Sequence, residues 1–283
     1  MGRSNVKTLV KLSYIELMRI LRSSKCLILI LCGIFININI IDPIRELSQK
    51  MGSKVSIFEP FVALSNSGLV LLIVPLLFIV LMSEFPDNSR FQYFYSIRTS
   101  KRRWIIIQMI TICMSAVIYL LVIILYSGLF SLDYASFQAD FSDAVRYYSV
   151  TFPELSYSYV AQLFPLNMLN QLSLSEVVLY SICMLYLYLT FLIKVILFFS
   201  ILRRKIIGII ADFLIVFLGS ALSSVSSGLQ WIFPLSHTVS WVHFSEVASE
   251  QVFPIEYSIV YMLAINLVLT VLIIVFSKKV RPE

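Results

Sequence analysis

Two charged side chains that lie inside apolar runs, Lys194 and Asp212, are the residues of this sequence best placed to do chemistry. They flank the short basic segment 203–205, and on two antiparallel helices each lies roughly 12 to 14 Å from that turn. An unpaired charge deep in a bilayer costs about 2.5 to 3.5 kcal/mol. The spacing therefore predicts a structural ion pair, with a place in a substrate or proton pathway, or snorkelling of Lys194, as alternatives.

Three uncharged polar residues, Thr190, Asn266 and Thr270, also lie inside apolar runs. Asn266 and Thr270 are one helical turn apart and share a helix face. Hydrogen bonds between transmembrane helices contribute about 0.6 kcal/mol each. Interhelical hydrogen bonding is the predicted role of these residues, and lining of a transport pathway is the alternative.

Signals for catalysis or metal binding are absent from the sequence. His237 and His243 have no acidic or cysteine partners at metal-ligand spacing, so we expect loop histidines and no metal site. No HExxH or GxSxG motif occurs, which argues against hydrolase chemistry, and without a GxxxxGK[ST] loop the chain is not expected to bind ATP. The four cysteines are interpreted as small buried hydrophobes: Cys26, Cys32, Cys113 and Cys183.

The elements that must position these residues are transmembrane helices. Hydrophobic residues make up 59% of the 283 residues and charged residues only 13%, with a mean hydropathy of +0.90; this is far more apolar than a soluble domain. A span needs about 20 apolar residues. The predicted fold is all-α, one polytopic membrane domain with six transmembrane helices. They cover residues 26–41, 61–82, 104–130, 174–202, 206–222 and 257–277.

Basic residues alternate between successive loops. Because cytoplasmic loops retain Lys and Arg, this pattern predicts an even number of spans, with both termini in the cytoplasm and the chain in the plasma membrane. Topology also accounts for the formal net charge of +6, so nucleic acid is not an expected partner. The predicted cytoplasmic side holds Arg3, Lys7, Lys11, Arg19, Arg22, Lys25, Arg90, Arg98, Lys101, Arg102, Arg103, Arg203, Arg204, Lys205, Lys278, Lys279 and Arg281, and the opposite side holds Arg45, Lys50, Lys54 and Arg146.

Three flanking segments are predicted to lie at the membrane surface. Residues 1–25 read as an amphipathic interfacial helix, either a basic anchor or a mechanical element. Residues 131–173 should contain short external helices. Residues 223–256 include two stretches, 231–234 and 239–244, that are too apolar for a plain loop and too short to span, so re-entrant or interfacial external helices are expected before the last span.

The loop 83–103 is longer than a helical hairpin needs. Pro86 marks a helix start, after which aromatic and charged residues recur at helical spacing. An exposed aromatic face normally has a protein partner. The residues concerned are Glu84, Arg90, Phe91, Phe94, Tyr95 and Arg98. Fixing of topology by the basic residues 98–103 explains those charges without a partner, but it does not explain the aromatic residues.

The same loop carries a family resemblance. It lies in Glu84, in Asn88-Ser-Arg90, and in the segment 96–104, which looks like a serine-arginine-tryptophan lead into the third span. With the order of parts along nearly the whole chain, the sequence resembles the permease subunits of ABC-2-type bacterial exporters. The resemblance implies a bacterial permease that pairs with a second permease, identical or not. It also implies two separate ATPase subunits, which bind ATP and Mg and dock on the loop residues named above.

Other functions remain open from the sequence alone. A non-transporting membrane partner, such as a bacteriocin-immunity component, could use the same fold. An intramembrane enzyme and a proton-coupled secondary transporter that uses Lys194 and Asp212 are the further alternatives.

Overall fold

The computed structural model describes residues 3–86, 100–223, 228–245 and 250–279. Over these residues the chain is mostly helical, and two short strands, β1 (Val55–Ser56) and β2 (Ala135–Ser136), pair in parallel. The α-helices are α1 Arg3–Leu21, α2 Leu27–Ile36, α3 Asp42–Met51, α4 Glu59–Asn66, α5 Gly68–Leu81, α6 Lys101–Leu129, α7 Asp143–Thr151, α8 Tyr159–Gln162, α9 Leu166–Gln171, α10 Leu174–Ile201, α11 Lys205–Ser223 and α12 Ile255–Lys279. Short 3-10 turns cover Ser24–Cys26, Pro153–Leu155, Gly228–Ile232, Ser236–Thr238 and Trp241–His243.

Five helices are long and apolar enough to cross a membrane, and a sixth crossing exists if the bent pair α4 and α5 counts as one. The chain is therefore a multi-pass membrane protein. Lipid offers no hydrogen-bonding partners to backbone groups, whereas a helix pairs these groups within itself. Long apolar runs in a membrane therefore form helices. The five are Ser24–Met51, Lys101–Leu129, Leu174–Ile201, Lys205–Ser223 and Ile255–Ser277.

The first crossing is longer than the predicted 26–41, because the helix continues through Pro43 to Met51. Proline has no N–H and deprives the carbonyl four residues earlier, that of Asn39, of its helical partner. A π-helical turn over Asn37–Ile41 absorbs the disturbance, and the Tyr159 hydroxyl donates to the Asn39 carbonyl at 2.9 Å. The freed backbone group thus receives a side-chain donor from α8.

The second predicted span, 61–82, is two helices that meet at 85°. The break lies at Ser67, whose backbone is extended (φ −82°, ψ 122°). Two groups from the segment before α12 donate to Asn66 beside the break, and the bond to its backbone carbonyl replaces a lost helical bond. The Ser240 amide donates to the Asn66 side-chain oxygen at 2.8 Å, and the Trp241 indole N–H donates to the Asn66 carbonyl at 3.0 Å. All residues of α4 are buried, so this irregular backbone lies inside protein, as a bilayer requires.

Helix α1 packs along the first third of α6. Leu9 and Leu17 are buried there, the Ser13 hydroxyl donates to the Ile107 carbonyl at 3.1 Å, and the Gln108 amide donates to Glu16 at 2.9 Å. Three further apolar side chains of α1 are about half exposed: Val6, Val10 and Tyr14.

Contacts between the described residues bring the basic segments to one end of the helix bundle. The Lys25 ammonium lies 3.1 Å from Glu84 Oε1, and the Lys205 ammonium donates to the Pro86 carbonyl at 3.1 Å. With α1 along α6, these contacts define the basic end. The opposite end, called the far end below, holds β1, β2, α7 to α9 and the 3-10 turns before α12.

Candidate functional site

A polar cluster joins α10 and α12 around Asn266. The Asn266 side-chain oxygen accepts from the Lys194 ammonium at 2.9 Å and from the Thr190 hydroxyl at 3.3 Å. Its amide donates back to the Leu187 carbonyl of α10 at 3.0 Å. Thr270 instead donates to the Asn266 carbonyl on its own helix, at 2.8 Å. Four of the residues singled out in the sequence therefore lie in one cluster between two spans.

The ion pair expected between Lys194 and Asp212 does not form in the structure. Lys194 donates to Asn266, whereas both carboxyl oxygens of Asp212 are buried without a hydrogen-bond partner among the described residues. The side chain of Asp212 is fully buried and lies within electrostatic range of the Tyr188 hydroxyl, which is itself buried and unpartnered within the described chain. The spacing placed both charges at a similar depth, but they project toward different neighbouring helices.

An unpartnered buried carboxyl group should weaken the fold. Because burial of a polar group without a hydrogen bond is unfavourable, we expect Asp212→Val to raise the free energy of unfolding by about 1–2 kcal/mol. Asp212→Asn keeps the size and polarity and should change stability by less than about 1 kcal/mol. Thermal or denaturant unfolding of purified protein in detergent measures both. A loss of stability in the valine variant alone would mean that the carboxyl group has a stabilising partner.

Glu84 is the predicted docking residue that falls among the described residues. It lines a groove of about 660 Å³ at the basic end, and its side chain is 69% exposed despite the contact with Lys25. The other predicted docking residues, Arg90, Phe91, Phe94, Tyr95 and Arg98, lie outside the described residues. The groove joins α1 to the end of α5, and its walls include Tyr14, Met18, Arg19, Arg22 and Leu81.

A buried histidine cluster at the far end was not predicted. His237 Nδ1 lies 2.7 Å and His243 Nε2 lies 2.8 Å from the hydroxyl of Ser258 on α12. The Tyr180 hydroxyl of α10 donates to the His237 carbonyl at 2.6 Å and lies 3.2 Å from His243 Nε2. Both histidines are almost completely buried. They fasten the 3-10 segment before α12 onto two spans.

The backbone contacts of the two rings indicate their tautomers. His237 Nε2 lies 2.9 Å from the Trp231 carbonyl, and His243 Nδ1 lies 2.9 Å from the Val239 carbonyl. A carbonyl only accepts, so these two nitrogens carry the protons. The remaining nitrogens both face Ser258, which can donate its one proton to only one ring at a time. Protonation of a ring would supply the missing donor, but it would also place a charge in buried surroundings.

Burial has a larger effect on the pKa of the two imidazoles than the missing donor at Ser258. It lowers the pKa of His237, and it lowers the pKa of His243 to about 4 from the ordinary 6.5. Among the described residues, no carboxylate favours the charged form of either ring. Within the described parts of the chain, no group of three or more His, Cys, Asp or Glu side chains could hold a metal ion. The cluster is therefore a neutral set of hydrogen bonds that holds the 3-10 segment before α12 against α10 and α12.

The described residues thus contain three candidate sites. They are the polar cluster around Asn266 between two spans, the groove at the basic end, and the buried histidine cluster at the far end. Comparison of the chain with protein-family models, curated proteins and solved structures returns no match.

Proposed function

We propose that this chain is the membrane-spanning permease subunit of an ATP-driven export system. In this proposal the bent pair forms the sixth crossing, both termini are cytoplasmic, and the protein lies in a bacterial plasma membrane. It pairs with a second permease chain, and two separate ATPase subunits bind ATP and Mg. The chain itself then hydrolyses nothing and forms the export path.

The groove at the basic end is the observation that carries the proposal. Its wall combines Arg19 of α1 and Arg22, which directly follows α1, with the exposed carboxylate of Glu84. Two residues of this wall, Leu81 and Glu84, come shortly before residues 87–99 in the sequence. In residues 87–99 aromatic residues recur at helical spacing. A groove with charges of both signs and exposed apolar side chains suits a protein partner. An ATPase subunit that binds there could push on α1 and α5 together.

The docking proposal predicts a selective effect of charge reversal at Glu84. Because an exposed ion pair contributes only about 0–1 kcal/mol, Glu84→Lys should leave the fold intact. If Glu84 contacts the ATPase, the repulsion should weaken association by about tenfold or more. The measurement is co-purification of the permease with the ATPase encoded beside it, together with ATPase activity of the complex. Phe94→Ala and Arg98→Ala test the sequence-derived part of the same surface.

Glu46→Lys is the matched control, since Glu46 is an exposed glutamate on α3 at the far end. It should change neither association nor ATPase activity. Unchanged association of Glu84→Lys, Phe94→Ala and Arg98→Ala would contradict docking at the basic end.

Proton-coupled transport is a second candidate because the Asp212 carboxyl group is buried with no hydrogen-bond partner in the described parts of the chain. Ionisable residues inside membranes are often kept for function despite their cost. The two functions separate in sealed vesicles. Transport that needs ATP and the partner subunit favours export by the first mechanism. Transport driven by an imposed pH gradient without ATP, and lost in Asp212→Asn, favours the second.

A further inference from the structure

The far end contains a cavity of about 880 Å³ at the break between α4 and α5. Its walls come from the start of α5, from the segment that includes α8 and α9, and from the 3-10 segment before α12. This volume lies within the range of cavities that bind drug-sized molecules. The broken helix places backbone at the cavity wall, an arrangement that membrane transporters use at substrate sites.

The described part of the cavity wall is uncharged. Among the described residues that line it there is no Asp, Glu, Lys, Arg or His. An ionised ligand would lose its hydration on entry and meet no opposite charge in return. The cavity therefore disfavours ions and selects uncharged molecules.

The wall offers both hydrogen-bonding groups and apolar surface. Gly68 and Leu69 begin α5, and their N–H groups have no acceptor among the described residues. Open space lies in front of Gly68, since a Cβ atom placed there would meet no atom within 4 Å. Gln162 adds an amide, while Val239 and Trp241 add apolar and aromatic surface.

We propose that this cavity binds an uncharged amphipathic molecule. Its hydroxyl, ether or carbonyl oxygens accept hydrogen bonds at the start of α5, and its hydrocarbon part lies against the wall that includes Val239 and Trp241. That the bound molecule is also the exported one rests on the proposed function. Binding itself does not, so it is tested without ATP, ATPase or transport.

The test uses two photoreactive probes that differ in one charge. They are an octyl glucoside and the corresponding octyl glucuronide, each with a diazirine in the alkyl chain. The purified full-length protein in nanodiscs is labelled with increasing probe, and the labelled peptides are identified by mass spectrometry. We expect saturable labelling of residues 156–167 and 235–242 by the glucoside, and none by the glucuronide.

Two variants connect the labelling to the cavity. Gly68→Leu fills the open space and should raise the half-saturating glucoside concentration by about tenfold or more. Gln162→Lys places one positive charge in the wall and should make the glucuronide label the same peptides. This gain of binding cannot result from misfolding. Gln138→Lys adds the same charge at an exposed residue outside the cavity lining and should leave both probes unchanged.

A second arm identifies where the ligand comes from. A neutral diazirine glycolipid is reconstituted into the nanodisc in place of the water-soluble glucoside. Labelling of the cavity peptides by the glycolipid supports a ligand drawn from the bilayer, and labelling by the glucoside alone supports one drawn from water. Equal labelling of wild type by glucoside and glucuronide, or no effect of Gly68→Leu and Gln162→Lys, would overturn the proposal.

Discussion

Glu59→Ala should lower the free energy of unfolding by about 2–6 kcal/mol, because it leaves two buried backbone N–H groups without acceptors at about 1–3 kcal/mol each. One carboxyl oxygen of Glu59 accepts from the Ser142 amide at 2.6 Å. The other accepts from the Ser56 amide at 2.8 Å and the Ser142 hydroxyl at 2.9 Å. These bonds join the start of α4 to the segment that begins α7, beside the β1–β2 pair.

A graded series makes this prediction specific. Glu59→Gln keeps one acceptor oxygen but turns an N–H donor toward the Ser56 amide, so its loss should be about 1–3 kcal/mol. Glu46→Ala, at an exposed position, should stay within about 0.5 kcal/mol of wild type. Unfolding in detergent gives the free energies, and limited proteolysis of residues 131–173 reports the local release. Equal stability of the alanine variant and wild type would show that Glu59 does not hold this segment.

The long apolar helices were predictable, but the interruptions within them were not. Residues 61–82 are apolar almost throughout, and hydropathy alone reads them as one continuous run. The break at Ser67 is stabilised by Ser240 and Trp241, which lie far along the chain. Pro43 is similar, since its helix is completed by a hydroxyl from Tyr159. Residue spacing carries no information about such distant partners.

The candidate sites were also predictable only in part. Spacing along two helices predicts the depth of Lys194 and Asp212, but not the direction in which each projects. The cluster around Asn266 could be anticipated only as polar residues at similar depth. The histidine cluster had no sequence signal, because its members come from α10, α12 and the 3-10 segment between α11 and α12. Only the assembled fold brings Tyr180 and Ser258 to the two imidazoles.

Acidification should weaken the far end through His243. The pKa of His243 is about 4 in the folded protein, below the ordinary value of 6.5. Between these two values the unfolded chain binds more protons than the folded one, so stability falls as the pH drops from about 6.5 to 4. Above this window both states are neutral, and below it both are protonated, so the loss levels off. A shift of this size corresponds to roughly 3 kcal/mol at most.

Two conservative substitutions isolate this contribution. His243→Asn keeps a donor that can reach the Val239 carbonyl, and His237→Gln keeps a donor that can reach the Trp231 carbonyl, yet neither side chain titrates. We expect each variant to be less stable than wild type at pH 7.5. The difference from wild type should shrink on acidification to pH 4.5, and it should shrink most for His243→Asn. Melting temperatures in detergent across this range measure the effect.

The comparison of slopes separates the histidines from every other titrating group, because carboxylates elsewhere contribute equally to wild type and variants. Identical pH dependence in wild type and His243→Asn would mean that His243 is protonated as readily in the folded protein as in the unfolded chain. A steeper loss in the variant would mean that protonation supplies the donor missing at Ser258 and stabilises the cluster.

The segment held by these histidines also contributes Val239 and Trp241 to the cavity wall. Loosening of this segment by acid should therefore weaken glucoside labelling over the same pH window.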